Sequence, residues 1–484
     1  MVSLNQFSTP LIDALKKYSN SSITPFDVPG HKFGKGTKEL RDLFGSNLMK
    51  MDVNSMKCLD NLSNPTSVIK KSQELLANAY GCDHSFFLVN GTSSGIQGMI
   101  MSVCGPYDKI IMPRNVHKSA VSGLVLSGAI PVYIQPETNE DLGIAMGMSY
   151  ESVKKAILSN LDAKAVFIIN PTYYGVTCDL KRIVDLAHEH NMLVLVDEAH
   201  GAHFHFHDDL PISAMAAGAD MSAISLHKTG GSLTQSSAIL LNEKNISPMK
   251  IRNILNVTQT TSASYLLMSS LDGSRKILAT RGEEIFSHIL SVCRYAREKI
   301  NKIPHLYAFS KELINNRGVY DFDETKLSIK VSDLGLTGFE VYELLRDKYK
   351  IQVELGDINN ILAIISLGDD KNSVDKLINS LSHISKNYKR AKSFNYNILL
   401  ENPDIIVSPR DAFYSRTKII PLKDSIGEVS GESIMAYPPG IPIISPGERI
   451  SKEIVDYIEE LKNQHVLITD SHDPEINNIK ILGA

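Results

Sequence analysis

Between Ser85 and Leu241 the chain repeats one pattern: a short run that is apolar throughout, a polar turn, then a helix-like segment. Phe86-Phe-Leu-Val89 leads through Asn90-Gly-Thr-Ser-Ser-Gly95 into Ile96–Val103, and Lys109–Met112 leads through Pro113-Arg-Asn-Val-His117 into Lys118–Ser127. Further runs are Ile130–Ile134, Ala165–Ile169, Leu193–Val196, Met221–Ser225 and Ala238–Leu241. Strands that do not alternate polar with apolar residues are buried on both faces. Alternation with helices then predicts an α/β fold with a mostly parallel central sheet. In such sheets the functional groups collect past the carboxyl ends of the strands, where these polar turns fall.

The rest of the chain lacks that rhythm. Residues 1–60 read as an N-terminal arm with turns, 61–302 as a large α/β domain, 303–395 as a smaller α+β domain and 396–484 as a C-terminal domain. A helical stretch over Glu283–Lys302 closes the large domain. Strands are expected at Ser328–Val331, Ile351–Glu354 and Ile361–Ile365, and a helix from Ser451 after the Pro-rich Tyr437-Pro-Pro-Gly-Ile-Pro442. At 484 residues two or three structural units are required. A mixed surface with a net charge of −4 gives no sign of nucleic acid or an anionic membrane as partner. No apolar stretch approaches the ~20 residues that span a bilayer. Five scattered cysteines, none in a CxxC pair, argue against a disulfide framework or thiolate zinc and point to a reducing cytoplasm.

Four places carry chemistry. Lys228 lies in Ser225-Leu-His-Lys-Thr-Gly-Gly-Ser-Leu-Thr-Gln-Ser-Ser237, at the end of a buried strand. Desolvation there lowers a lysine's pKa and leaves an amine able to attack an aldehyde; a solvated surface lysine is the plain alternative. Asp197 ends Leu193-Val-Leu-Val196 and is followed by Glu198-Ala199-His200-Gly201. A buried acid needs a cation, so it suits a protonated ring nitrogen, though a metal ligand, a ribose-binding acid or a helix cap fits the same position. Thr92, Ser93 and Ser94 stand where a helix begins, and unpaired first-turn amides with hydroxyls make an anion cup or an ordinary N-cap. His117 ends another strand turn, where an imidazole stacks on a flat ligand or caps the next helix.

In this order the four elements resemble the ornithine/lysine/arginine decarboxylase family of fold-type I pyridoxal 5′-phosphate (PLP) enzymes. Supporting motifs are Pro29-Gly-His-Lys32, Phe87-Leu-Val-Asn-Gly91, Pro113-Arg-Asn-Val-His-Lys-Ser119, Asn170-Pro-Thr-Tyr-Tyr-Gly175, Asp197-Glu-Ala-His-Gly-Ala-His203, Ser225-Leu-His-Lys228 with Gly231-Ser232 and Thr234-Gln-Ser-Ser237, and Tyr437-Pro-Pro-Gly-Ile-Pro442. The resemblance implies an aspartate aminotransferase-like fold and a cofactor held as a Schiff base on Lys228. It further implies that Asp197 faces the pyridine nitrogen, His117 stacks on the ring, and Ala199 packs on the opposite face. Thr92, Ser93 and Ser94 with Ser225 and His227 would hold the phosphate. Ser262 and Ser264 would reach a neighbouring subunit's site, making a homodimer the smallest active unit. Lys228 or His227 would return a proton to the substrate's Cα.

The implied reaction is decarboxylation of a basic amino acid. Arginine, giving agmatine for polyamine synthesis, comes before lysine and ornithine, because the chain resembles the short bacterial form without the flavodoxin-like domain of the long acid-induced enzymes. Glu432 and Glu448 are the candidates for binding the substrate's distal cation. Leu62-Ser63-Asn64-Pro65 departs from the family's Leu-His-x-Pro. Two rivals remain. Another PLP reaction, such as transamination, is compatible with the fold. A metalloenzyme would use His200, His203, His205 and His207, the last three sharing one face if the segment were a strand. No metal is expected in the preferred assignment.

Overall fold

The computed structural model describes residues 4–388, 402–437, 441–463 and 466–483. Seven strands carry the α/β pattern: β1 (His84–Leu88), β2 (Lys109–Pro113), β3 (Ile130–Ile134), β4 (Ala165–Ile169), β5 (Leu193–Asp197), β6 (Met221–Ile224) and β7 (Ser237–Leu241). Each lies within two residues of the run that predicts it. All five residues of β7 and all four of β6 are buried, as fully apolar strands require.

The chain divides into two compact units, residues 1–102 with 196–286 and residues 103–195 with 287–484. In the first, β1 pairs with β7 and β7 with β6, both antiparallel, with His84 opposite Leu241 and Leu88 opposite Ser237. The antiparallel β6–β7 pair makes residues 225–236 a short return connection held at both ends by sheet hydrogen bonds. Helix Gly91–Val103 follows β1. A Cβ at Gly95 would come within 2.7 Å of Leu88 Cδ1, so this glycine lets the helix lie close on β1. The last residues of β5 join this unit, where Glu198 N–H donates to Ala223 O at 3.1 Å.

The N-terminal arm of this unit carries three short helices and is tied down by a buried pair on the long helix Tyr265–Ile300. Arg275 donates to Gln6 O, Ser8 O and Asp272 Oδ1, and Asp272 Oδ2 accepts from Leu11 and Ile12 N–H. That helix starts 18 residues before the expected Glu283. Gly282 does not break it; a Cβ there would meet Phe206 Cβ at 2.7 Å, so the glycine serves side-to-side packing.

In the second unit β2 pairs with β3 and β4, both in parallel. A smaller antiparallel sheet contains β8 (Tyr307–Ala308), β9 (Lys326–Lys330), β10 (Leu355–Gly356) and β11 (Asn360–Ile364), in the order β8-β9-β11-β10. The expected strand at Ile351–Glu354 does not form, and pairing begins only after it, at β10, because Lys350 ends the preceding helix in the left-handed region (φ 57°) and residues 351–354 turn the chain back. Toward the C-terminus, strand Thr417–Pro421 pairs with Asn478–Leu482, and Ile434–Tyr437 pairs with Ile441–Ile444 and Leu467–Thr469. Helix Lys452–Asn463 buries Ile454, Val455, Ile458 and Leu461 among them. Of the Pro-rich motif, residues 438–440 lie outside the described residues. Among the described residues no helix is long and apolar enough to cross a membrane.

Candidate active site

The β6–β7 connection holds the amine. Ser225 precedes a four-residue helix, Leu226–Thr229, closed by Lys228 N–H to Ser225 O and Gly230 N–H to Leu226 O. The long helix braces this turn. Ser274 donates to Gly230 O at 2.5 Å and Ser270 Oγ accepts from Leu233 N–H at 3.1 Å. Ser232 and Ser236 hydroxyls meet at 2.6 Å inside it. The Lys228 side chain emerges half-buried, with Nζ 2.8 Å from His200 Nε2. Neighbouring His227 places Nδ1 3.0 Å from Ser236 O. A carbonyl only accepts, so Nδ1 carries the proton and Nε2 the lone pair. Burial pulls the His227 pKa down, Lys228 adds to that, and the Ser236 carbonyl opposes it.

Asp197, at the end of β5, is buried, and Ala199 N–H donates to its Oδ1 at 3.1 Å. Burial raises its pKa against the lowering effects of Lys228 and the Ala199 amide. A carboxyl in this state gains from any cation brought to it. Glu198 is buried as well. Ala214 N–H donates to it at 2.7 Å, yet burial pushes its pKa up to about 8, with Asp197 adding repulsion. Two adjacent acids at one strand end therefore both resist ionisation.

Thr92, in the first turn of helix Gly91–Val103, hydrogen-bonds Ser225 and lies 3.0 Å from Ser237 Oγ. Three buried hydroxyls from the helix start, the end of β6 and the start of β7 thus meet at the helix N-terminus, where the first amide, Gly91 N–H, donates to Gln235 O at 3.0 Å. Ser93 is exposed beside them. Ser94 is turned inward, donating to Gly91 O at 2.9 Å, so its hydroxyl proton is committed to the helix. Ala199 is buried in the turn after Asp197. Ser262 is exposed in the turn before the long helix, and Ser264 caps that helix through Leu267 N–H.

The second unit holds the other predicted residues. His117 caps helix Lys118–Ser127, its Nδ1 accepting from Ser119 N–H at 3.2 Å and lying 2.8 Å from Ser119 Oγ. Glu432 and Glu448 are neither exposed nor open to a ligand. Glu432 accepts from His472 N–H and Lys480 N–H, both at 2.7 Å, with the His472 ring nitrogen 3.0 Å away. Glu448 is gripped by both terminal nitrogens of Arg114 and by Ser445 N–H at 2.7 Å. As substrate anchors both need correction, because burial forces each carboxylate to saturate itself within the fold.

The histidine-rich segment is not a strand. Phe204–Phe206 form a 3₁₀ turn, so His203, His205 and His207 share no sheet face. His203 packs against Phe204 and Phe286, and burial lowers the His205 pKa. Among the described residues no cluster of His, Cys, Asp or Glu has metal-site geometry. Residues that motif reasoning passed over are His200 as a partner of the amine, Ser237 in the hydroxyl cluster, and Ser270 and Ser274 under the turn. Ser237 had a signal, since a hydroxyl at the first position of a buried strand is costly without a partner.

Comparison with known proteins places the chain. It matches the family described as Orn/Lys/Arg decarboxylase, major domain, over residues 9–373, and the corresponding C-terminal domain over residues 392–467. It is 44% identical over 483 residues to an arginine decarboxylase of Bacillus subtilis (strain 168), covering 99% of each chain. Among solved structures, a Francisella novicida lysine decarboxylase aligns with a TM-score of 0.88 at 21% identity, over 99% of this chain and 81% of that one. An alanine–glyoxylate aminotransferase from Nostoc sp. aligns at 0.54 and 17%, over 67% of this chain and 88% of that one. The fold is thus the fold-type I architecture, a mixed, mostly parallel sheet with helices and a C-terminal domain.

Proposed function

The chain belongs to the Orn/Lys/Arg decarboxylase family, and from that premise we propose that it converts arginine to agmatine and carbon dioxide with PLP carried on Lys228. The observation that carries the choice of arginine is the 44% identity, across nearly the whole chain, to an enzyme named for that substrate. The site residues fit the cofactor by their own chemistry. Asp197 is a buried acid with one backbone donor among the described residues and a raised pKa, the state that a facing pyridinium N–H relieves. Thr92, Ser225 and Ser237 converge at a helix N-terminus, which matches a phosphate. When bound, the cofactor supplies a conjugated ring that accepts the electron pair left as the carboxylate departs.

The chain's residues do the remaining work. Asp197 would keep a proton on the cofactor's ring nitrogen, and its burial would make that attraction stronger than it is in water. Of the two proton sources for Cα, His227 is the poorer. Its Nδ1–H is committed to Ser236 O and its pKa lies below the ordinary value, so at neutral pH its Nε2 holds a lone pair. Lys228 therefore delivers that proton.

A homodimer is the proposed active unit. Support comes from apolar groups exposed in the first unit, Val257 at 80% and Phe26 at 94%, and from Ser262 at the same surface turn as expected for a subunit contact. The proposed location is the cytoplasm, where five free thiols stay reduced. Incubating the purified chain with PLP and arginine, lysine or ornithine in turn tests the assignment. Agmatine from arginine is expected; cadaverine as the principal product would move the assignment to lysine. Borohydride reduction should fix the cofactor to the peptide containing Lys228, and a label elsewhere would remove the basis for the site.

A further inference from the structure

An ammonium ion has no lone pair, so Lys228 must lose a proton before it can attack any carbonyl carbon. Asp197 works against that loss, because a nearby acid favours the charged amine. His227, next to Lys228 in the chain, has its Nδ1–H already committed to Ser236 O. Glu198, next to Asp197 in the chain, accepts from the Ala214 amide. His200 is different. Its Nε2 is 2.8 Å from Lys228 Nζ, within reach for direct proton transfer, and the imidazole is only 5% exposed. It is fixed there by the turn after β5, where Gly201 N–H donates to Glu198 O at 2.9 Å. A Cβ at Gly201 would come within 2.9 Å of both Glu198 and Phe204, so the turn that aims His200 depends on glycine.

We propose that His200 is the proton acceptor that activates Lys228. The Nζ–H bond breaks and an Nε2–H bond forms. The positive charge moves to the imidazole, and Nζ keeps the lone pair that attacks. The proton returns by the reverse step when the amine is released. Free lysine and histidine differ by about 4 pKa units, so the neutral amine is a minor species. An acceptor already in contact spares that species a wait for solvent base. The proposal rests on Lys228 being the reactive amine, and the test keeps the two claims apart.

The full-length protein, freed of cofactor, is treated with propionaldehyde and cyanoborohydride across a pH series, and modification at Lys228 is followed by peptide mapping. His200→Gln retains a hydrogen-bonding group but accepts no proton; His200→Phe removes both. Near neutral pH, His200→Gln should label Lys228 roughly 100-fold more slowly than the parent protein. The gap should close at high pH, where hydroxide takes over. Equal rates and profiles in the parent and His200→Gln would overturn the proposal, and a defect confined to His200→Phe would reduce His200 to a positioning residue. The parent protein alone gives a second check if the variants fold poorly. Its labelling rate should show a step in the imidazole range, about pH 6 to 7, and a single lysine-type inflection near ~10 counts against the proposal. Should the parent label other lysines and spare Lys228, the assignment of Lys228 itself fails, whatever His200 does.

Discussion

Asp197 and Glu198 in the first unit and Glu448 and Asp323 in the second are all buried carboxylates, and the fold treats the two sets in opposite ways; Asp272, paired with Arg275 in the first unit, behaves like those of the second. In the second, Glu448 meets both terminal nitrogens of Arg114, which also donates to Ile443 O and lies over the Tyr133 ring. Burial works against the Arg114 charge, yet Glu448 outweighs it and leaves the guanidinium pKa above its ordinary value. Asp323 and Lys326 repeat the arrangement at 2.7 Å with both side chains fully buried. In the first unit, Asp197 and Glu198 are as deeply buried, but burial dominates and both pKa values rise. A buried acid matched to a cation holds a fold together. One left short of a cation is costly to keep, and it repays that cost only when a ligand brings the missing charge.

If that contrast is right, neutralising Asp197 should damage chemistry and spare the fold. Asp197→Asn keeps the shape and the Ala199 hydrogen bond, and it removes a charge that the folded chain does not favour. Turnover should fall on the order of 1000-fold, while the thermal midpoint stays level or rises. A large loss of stability with activity retained would reverse the roles assigned to the two sets of acids. Truncating the matched acid should do the converse. Glu448→Ala strands the Arg114 guanidinium without its partner, which costs about 3–5 kcal/mol in a denaturant titration. A change below about 1 kcal/mol would mean that the pair is not the tie it resembles.

A milder variant separates ligand binding from both effects. Thr92→Val removes one hydroxyl from the cluster and leaves those of Ser225 and Ser237 in place. It should weaken PLP binding by about 10-fold with little change in stability. Equilibrium titration of the cofactor's absorbance measures it, and unchanged affinity would take the phosphate away from this helix.

The same contrast explains what the sequence made legible. Strands β1 to β7 were readable because burial on both faces leaves uninterrupted apolar runs such as Ala165–Ile169. Lys228, Asp197 and Thr92 were readable because each sits at the end of such a run, where a polar side chain stands out. Partners were another matter. His200 and Lys228 are 28 residues apart, and nothing local says that one turn aims at the other. Glu432 and Glu448 were misjudged because a glutamate's spacing does not reveal that Arg114, 334 residues from Glu448, has claimed it. Alternation of His203, His205 and His207 suggested a strand face, but over so few residues the spacing fits a 3₁₀ turn equally well. The early start of helix Tyr265–Ile300 was hidden because the expected stretch begins just after Gly282, a glycine that acts as a contact point inside the helix.

A last test probes the unmatched side of the comparison through pH alone. Burial carries Glu198 from its ordinary value of 4.5 to about 8, so the folded chain binds this proton more tightly than the unfolded chain does. The resulting stabilisation is fully present below pH 4.5 and is lost as pH rises through about 8. Within that window the group alone contributes a decline of at most about 1.4 kcal/mol per pH unit. Glu198→Gln keeps a neutral side chain able to accept from Ala214 N–H, so the variant should show a flatter stability–pH curve between those limits. Asp197 contributes in the same direction and remains in both proteins, so the difference between the two curves isolates Glu198. Parallel curves would mean that Glu198 ionises in the fold near its ordinary value. A cation or water would then already serve this strand end, and the contrast between matched and unmatched acids would rest on Asp197 alone.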